Sequence, residues 1–297
     1  MSLADITAFL STLADSAIRR VFIAGGEPLI WPQVFVVAEM IKAAGAEVVL
    51  CTNGIPLSRP EVTRQIIALG VDAVSVSLDS ADPAYNDRYR PSRNGRHGWA
   101  DVVAGIRALL AARAGHDAPK VGLYTVITRR NITALGEVAR LAADLGADYY
   151  VPQPISLSSH HRLHAELALR DADAPALAAA LGGLYGATLA IGLPEISYAQ
   201  QFLSTITSSM QTAAGCFGGH HLAFIEPDGS VWPCPSSYKI AATSPAQRRT
   251  IRGRHAAELF SPQRRTCPDD CALMSADCVN MWPLMGFDRF LHPAGTP

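Results

Sequence analysis

No cysteine precedes Cys51 in this chain of 297 residues, and the others stand late, at Cys216, Cys234, Cys267, Cys271 and Cys278. No uninterrupted apolar run approaches the roughly 20 residues that cross a bilayer as a helix. The N-terminus lacks both the basic n-region and the apolar h-region of a secretory signal. These absences predict a protein that stays in the cytoplasm, away from membranes. In that reducing compartment the cysteines suit metal ligation or burial better than structural disulfides. Charge of one sign is also missing: the formal net charge is -1, which gives no global attraction to nucleic acid. Lysine is scarce, confined to Lys42, Lys120 and Lys239. None lies where a parallel sheet would present it to a ligand, so a barrel lyase or aldolase working through a lysine or carboxylate base ranks last.

About half of the residues are apolar, enough to bury a full core. Short β-branched segments alternate with amphipathic ones. Helices are expected over 2–17, 32–44, 60–69, 99–114 and 132–145, the first capped by Ser2 with Asp5. Strands are expected over 20–25, 47–51, 73–78, 120–128 and 148–155. Such alternation implies right-handed βαβ crossovers and a parallel sheet. Near-continuous apolar runs such as Val48-Val49-Leu50 fit burial on both faces. Because a helix comes first, the pattern reads as a partial (β/α)6 TIM-like barrel whose first strand is missing.

Residues 157–215 read as mostly helical. From Cys216 the chain is rich in cysteine, proline and arginine, with a hairpin whose arms, Leu222–Pro227 and Ser230–Pro233, meet at Asp228-Gly229. A boundary near 190–215 divides the chain into 1–200 and a small cysteine-rich part, 201–297.

A parallel α/β sheet holds its ligand at the carboxyl ends of its strands. Those ends carry Gly25-Gly26-Glu27-Pro28, Thr52-Asn53-Gly54, Ser77 with Asp79, Thr125 to Thr128, and Gln153 with Ser156. Two glycines allow a turn and close approach of a ligand to the backbone, and Pro28 fixes the exit. The set is polar and nearly uncharged, which suits a zwitterionic, ribose-bearing ligand. Singly, each string is also an ordinary turn or strand exit.

Gly25-Gly26-Glu27-Pro28 resembles the GGEP element of the radical S-adenosylmethionine (radical SAM) superfamily. Cys51-Thr52-Asn53-Gly54 resembles that family's TNG, and Ser75-Val76-Ser77-Leu78-Asp79 its S-x-D. The segment Asp82 to Arg90 is similar to its hDxxR. The resemblance covers most of residues 1–155. It implies that the Gly25 to Glu27 backbone binds the methionine amino group of S-adenosylmethionine and that Ser77 and Asp79 face its carboxylate or ribose, with Pro28, Thr52 and Asn53 completing the site. It further implies a 5'-deoxyadenosyl radical, a peptide or small natural-product substrate, and a reductant such as flavodoxin or ferredoxin. The family's CxxxCxxC loop, which holds the catalytic 4Fe-4S cluster ahead of GGEP, has no counterpart here, and a longer chain is therefore expected.

The late cysteines form the second constellation. Cys216 and Cys234 flank the hairpin, while Cys267, Cys271 and Cys278 stand on a following loop. Four thiolates suit zinc or an iron-sulfur cluster. The spacing resembles the SPASM/twitch extension of radical SAM enzymes, which implies an auxiliary 4Fe-4S cluster. A non-catalytic, metal-stapled binding protein is the rival reading. The histidines at 160, 161, 164, 220 and 221 read as surface residues, Trp232 and Trp282 as shields for the metal site. Arg248, Arg249, Arg252, Arg254, Arg264 and Arg265 make the late region locally basic, able to steer an acidic peptide or phosphate.

Overall fold

The computed structural model describes residues 1–92, 95, 98–207, 216–234, 244–262 and 281–292. Helix α1 (Leu3–Leu10) opens on the expected capping box: Ser2 Oγ accepts from Asp5 N and the Asp5 carboxylate accepts from Ser2 N, both at 3.1 Å. It ends well short of residue 17. The Ser11 and Thr12 hydroxyls donate back to Ala8 O and Phe9 O, a local alternative to helix continuation.

Five parallel strands follow, β1 (Arg20–Ile23), β2 (Glu47–Thr52), β3 (Ala73–Ser77), β4 (Lys120–Ile127) and β5 (Tyr149–Pro154), lying side by side in chain order. Helices α2 (Val34–Ala43), α3 (Pro60–Ala68), α5 (Trp99–Ala112) and α6 (Leu135–Leu145) occupy the crossovers. A short helix that the sequence pattern did not announce, α4 (Pro83–Tyr89), starts where the Asp82 carboxylate accepts from Ala84 N. Val48, Leu50, Val74, Val76, Val121 and Leu123 are fully buried. At about 25 cal/mol per Å² of apolar surface removed from water, this alternating set is the main source of cohesion.

The opposite face of the sheet is aromatic. Ser75 and the Tyr149 hydroxyl hydrogen-bond at 2.8 Å. Phe22 meets Phe287 at a ring distance of 5.1 Å, and Phe290 stacks on Tyr149 at 4.7 Å. The last two phenylalanines belong to a chain end that folds back as α10 (Met281–Leu284) and α11 (Asp288–Leu291). Tyr124 Oη donates to Met285 Sδ at 3.1 Å, and Arg20 pairs with Glu47 and Asp288. Trp282, expected beside the metal site, packs edge-on against Phe22 at 5.5 Å.

The region expected to be helical holds α7 (His164–Leu167), α8 (Ala174–Gly186) and α9 (Ile196–Thr207), and α9 runs through position 200. The hairpin is present as antiparallel β6 (Phe224–Ile225) and β7 (Ser230–Trp232), with Gly229 at φ +88° in its turn. A third strand, β8 (Arg249–Thr250), adds to β7.

Candidate functional site

Both glycines after β1 face open space. A Cβ built on Gly25 or Gly26 meets no heavy atom within 4 Å, and Gly25 has φ +142°, a region side chains disfavour. The backbone here is a cradle with room beside it.

Glu27 fixes that cradle to the next strand exit. Its Oε1 accepts from Thr52 Oγ1 at 2.8 Å and from Leu29 N at 3.0 Å, while Oε2 accepts from Asn53 N at 2.7 Å. Thr52 is buried and its hydroxyl also accepts from Gly54 N. Thus Glu27 and Thr52 join two loops, Pro28 is buried beneath them, and Asn53 Oδ1 accepts from Ile55 N at 3.0 Å. Gly54 is required on two counts: φ is +84°, and a Cβ would lie 2.7 Å from Val76 and 2.9 Å from Val102.

Ser77 ends β3 half-buried, and its hydroxyl makes no hydrogen bond to a described residue. Asp79 is placed differently. It is 7 % exposed, with Oδ1 accepting from Val126 N at 2.9 Å and Oδ2 paired with Arg90 at 3.0 Å. Its backbone carbonyl accepts from Asn131 Nδ2, which also donates to Val126 O. Asp79 and Asn131 therefore brace the exits of β3 and β4 against each other. Asn131 escaped the sequence reading, although an asparagine three residues past a strand end is a standard turn signal.

The rim continues through Tyr85, whose hydroxyl hydrogen-bonds Thr128 at 2.8 Å, and Tyr89, which donates to Glu166 at 2.5 Å. Burial pushes the Tyr85 hydroxyl up to about 12. The Tyr89 bond holds the Glu166 carboxyl below its usual range, with Arg88 and Arg130 adding to the effect. Glu166, unlike Asn131, carries no sequence signal, because it is joined to α4 only by the return of the chain after β5. Thr125, counted among the strand-end residues, is buried with its hydroxyl donating to Leu78 O. Gln153 stays half-buried at the end of β5.

Inside the sheet, Cys51 stands opposite Ser75 in register. Burial pushes its thiol up to about 12, opposed by the Ser75 hydroxyl and reinforced by the Glu27 carboxylate. Burial also drives the Tyr124 and Tyr149 hydroxyls far up. At the far end of this face Arg20 is paired with Glu47 and Asp288.

In the late region, the hairpin brings Cys216 and the Pro233-Cys234 arm to one glycine. A Cβ on Gly218 would stand 3.2 Å from Cys216 Sγ and 2.5 Å from Pro233 O. Cys234 is buried and Cys216 half-buried. Cys267, Cys271 and Cys278 lie outside the described residues. Among the described residues, no group of three or more His, Cys, Asp or Glu could hold a metal ion, and no helix is long and apolar enough to cross a membrane.

Comparison with known proteins places this geometry. Residues 1–142 match the model of the Radical SAM superfamily. The AdoMet-dependent heme synthase of Methanosarcina barkeri is 34% identical over 142 residues, 48% of this chain and 38% of that protein. The PqqA peptide cyclase of Streptomyces rochei is 28% identical over 285 residues, 89% of this chain and 72% of that one. The chain thus spans well under half of the first relative and most of the second. Among solved structures, native anSMEcpe with bound AdoMet and Kp18Cys peptide superimposes with a TM-score of 0.65 at 14% identity, over 98% of this chain and 90% of the other. That likeness shows a shared α/β fold.

Proposed function

From the match of residues 1–142 to the Radical SAM superfamily model, we propose that this protein binds S-adenosylmethionine at the rim of Gly25, Gly26, Glu27, Asn53 and Ser77 and serves as a radical SAM enzyme acting on a peptide. One observation carries the reading: an open two-glycine backbone cradle, stapled by Glu27 to the next strand exit. Backbone N–H and C=O groups beside glycines suit the charged amino and carboxylate groups of a methionyl moiety, and the Ser77 hydroxyl stands ready as a donor. Given one electron from the superfamily's catalytic iron-sulfur cluster, S-adenosylmethionine held here would release methionine and supply a carbon radical able to take hydrogen from an unactivated carbon.

The chain's own residues bind, orient and exclude water. Glu27 and Asp79 hold the rim loops in register, which is the positioning such chemistry needs. Phe22, Tyr149, Phe287 and Phe290 close the opposite end of the inner face to solvent. The sheet reads as a partial (β/α)6 barrel, with 201–297 as an extension in which four of Cys216, Cys234, Cys267, Cys271 and Cys278 hold an auxiliary 4Fe-4S cluster served by a flavodoxin or ferredoxin. The convergence of Cys216 and the Cys234 arm at Gly218 supports that set. A peptide substrate is favoured by the PqqA peptide cyclase, aligned over 89% of this chain.

The superfamily's catalytic cluster does not fit the residues present, since no three of the six cysteines have CxxxCxxC spacing. A second reading, a non-catalytic, metal-stapled binding protein, rests on the meeting of Cys216 and the Cys234 arm at Gly218. Titration calorimetry with S-adenosylmethionine separates the two. Binding by the wild type and its loss in Gly26→Val, at unchanged melting temperature, is the expected result. Unchanged affinity in the variant would place the cofactor elsewhere. No binding by the wild type, with one zinc per chain, would establish the second reading.

A further inference from the structure

Away from the rim, a cavity of about 280 Å³ opens between α1, β8 and the turn that follows it. Its floor is apolar, formed by Phe9, Val231, Ile251 and Leu259, all buried. Its wall carries Arg248, Arg249, Arg254 and His255 against a single acid, Glu258.

The cations differ in how they are held. Arg249 donates to the backbone carbonyls of Glu258 and Leu259, at 2.9 and 3.0 Å, and meets no carboxylate among the described residues. Its charge is therefore fixed in place and not neutralised. Arg254 pairs with Glu258 at 3.3 Å, but both side chains are more than half exposed, and such a pair contributes little and opens easily. Arg248 lies over the Trp232 ring at 5.6 Å. His255 is 3.9 Å from Asp15, and the neighbouring Arg252 is 3.4 Å from Asp5. A planar fork presented over an apolar floor matches a carboxylate carried on, or next to, an apolar side chain.

We propose that this cavity is a docking site for an acidic segment of a peptide, whose carboxylates engage Arg249 and Arg254 while an adjacent apolar side chain fills the floor. The occupant is an extended peptide because the cavity wall includes β8, an edge strand of its sheet among the described residues, and a strand edge adds main-chain hydrogen bonds to side-chain contacts. Nothing in this proposal depends on the cofactor or the reaction assigned to the rim.

The test is fluorescence anisotropy of the full chain, without cofactor, using a fluorescein-labelled peptide of alternating Glu and Leu and its Gln-for-Glu isostere. The acidic peptide is expected to bind at least ~10-fold more tightly than the isostere, and more weakly as salt rises. Arg254→Gln should lower its affinity several-fold, and the Arg249→Gln, Arg254→Gln double variant at least ~10-fold, with melting curves recorded for each. Arg64→Gln, at an exposed position of α3, should change nothing. Equal binding of both peptides would overturn the proposal, as would an acidic peptide unaffected by Arg254→Gln. Full displacement by millimolar N-acetylglutamate would also overturn it, by making the ligand a free acid.

Discussion

The two ends of the parallel sheet are built from opposite materials. At the carboxyl ends of the strands, loops are short, polar and half-open, and they are joined by carboxylates: Glu27 across β1 and β2, Asp79 across β3 and β4. At the other end of the inner face, Tyr149, Phe287 and Phe290 fill the space and Arg20 is neutralised twice. One end is sealed by packing, which tolerates almost no change of volume. The other is held by hydrogen bonds that fix backbone while leaving room for a ligand. Stability and binding are thereby separated, and substitutions at each end should move different observables.

The largest effect is expected at the sealed end. A Cβ on Gly122 would lie 1.9 Å from the Tyr149 ring, which covers this position on the neighbouring strand. Gly122→Val should therefore cost about 3 kcal/mol or more, or abolish folding. Urea denaturation of the wild type and variant measures this. A variant of wild-type stability would mean that Tyr149 rotates freely and the plug is loose.

A smaller global effect and a sharper local one are expected at the open end. Glu27→Ala removes acceptors from Thr52, Leu29 and Asn53. The fold should survive with a loss of about 1–3 kcal/mol, while S-adenosylmethionine affinity in calorimetry falls at least ~10-fold because the glycine cradle is no longer stapled. Glu27→Gln, which keeps one acceptor oxygen, should fall between. Equal affinity in all three proteins would show that the staple serves stability alone.

The same contrast explains what could be read from the sequence. The strand segments and crossover helices were legible because each announces itself locally, through period and caps; the ends of β1 to β5 differ from the expected ones by a residue or two. The rim glycines were legible for the same reason, since Gly25-Gly26 and Asn53-Gly54 need particular backbone conformations. The partners of Glu27 and Asp79 were not, because they are set by the register between strands. The plug was invisible: Phe287 and Phe290 come from a chain end that returns to the sheet, and Trp282, read as a metal-site shield, follows them to Phe22. Strand β8 was missed because two residues carry no periodicity.

Cys51 lies where the two regimes meet, on the inner face between the staple and the plug, and its expected effect is the smallest. Burial holds its thiol up to about 12 from an ordinary 9.0, with the Glu27 charge adding to the shift. A thiol raised in the folded state contributes stability that is full below about 9 and is lost as pH rises toward 12, because the unfolded chain gives up its proton first. Cys51→Ala should therefore flatten the decline of stability in that alkaline window relative to the wild type. In the native protein at pH near 8, the thiol form resists iodoacetamide, so peptide mapping should find Cys51 unmodified until denaturant is added. Glu27→Ala should move Cys51 toward faster alkylation by removing the neighbouring negative charge, whereas a substitution confined to the plug that preserves packing should not. Rapid alkylation of Cys51 in the wild type would show that the open end reaches deeper than the staple, and the boundary between the two ends would move toward Tyr149.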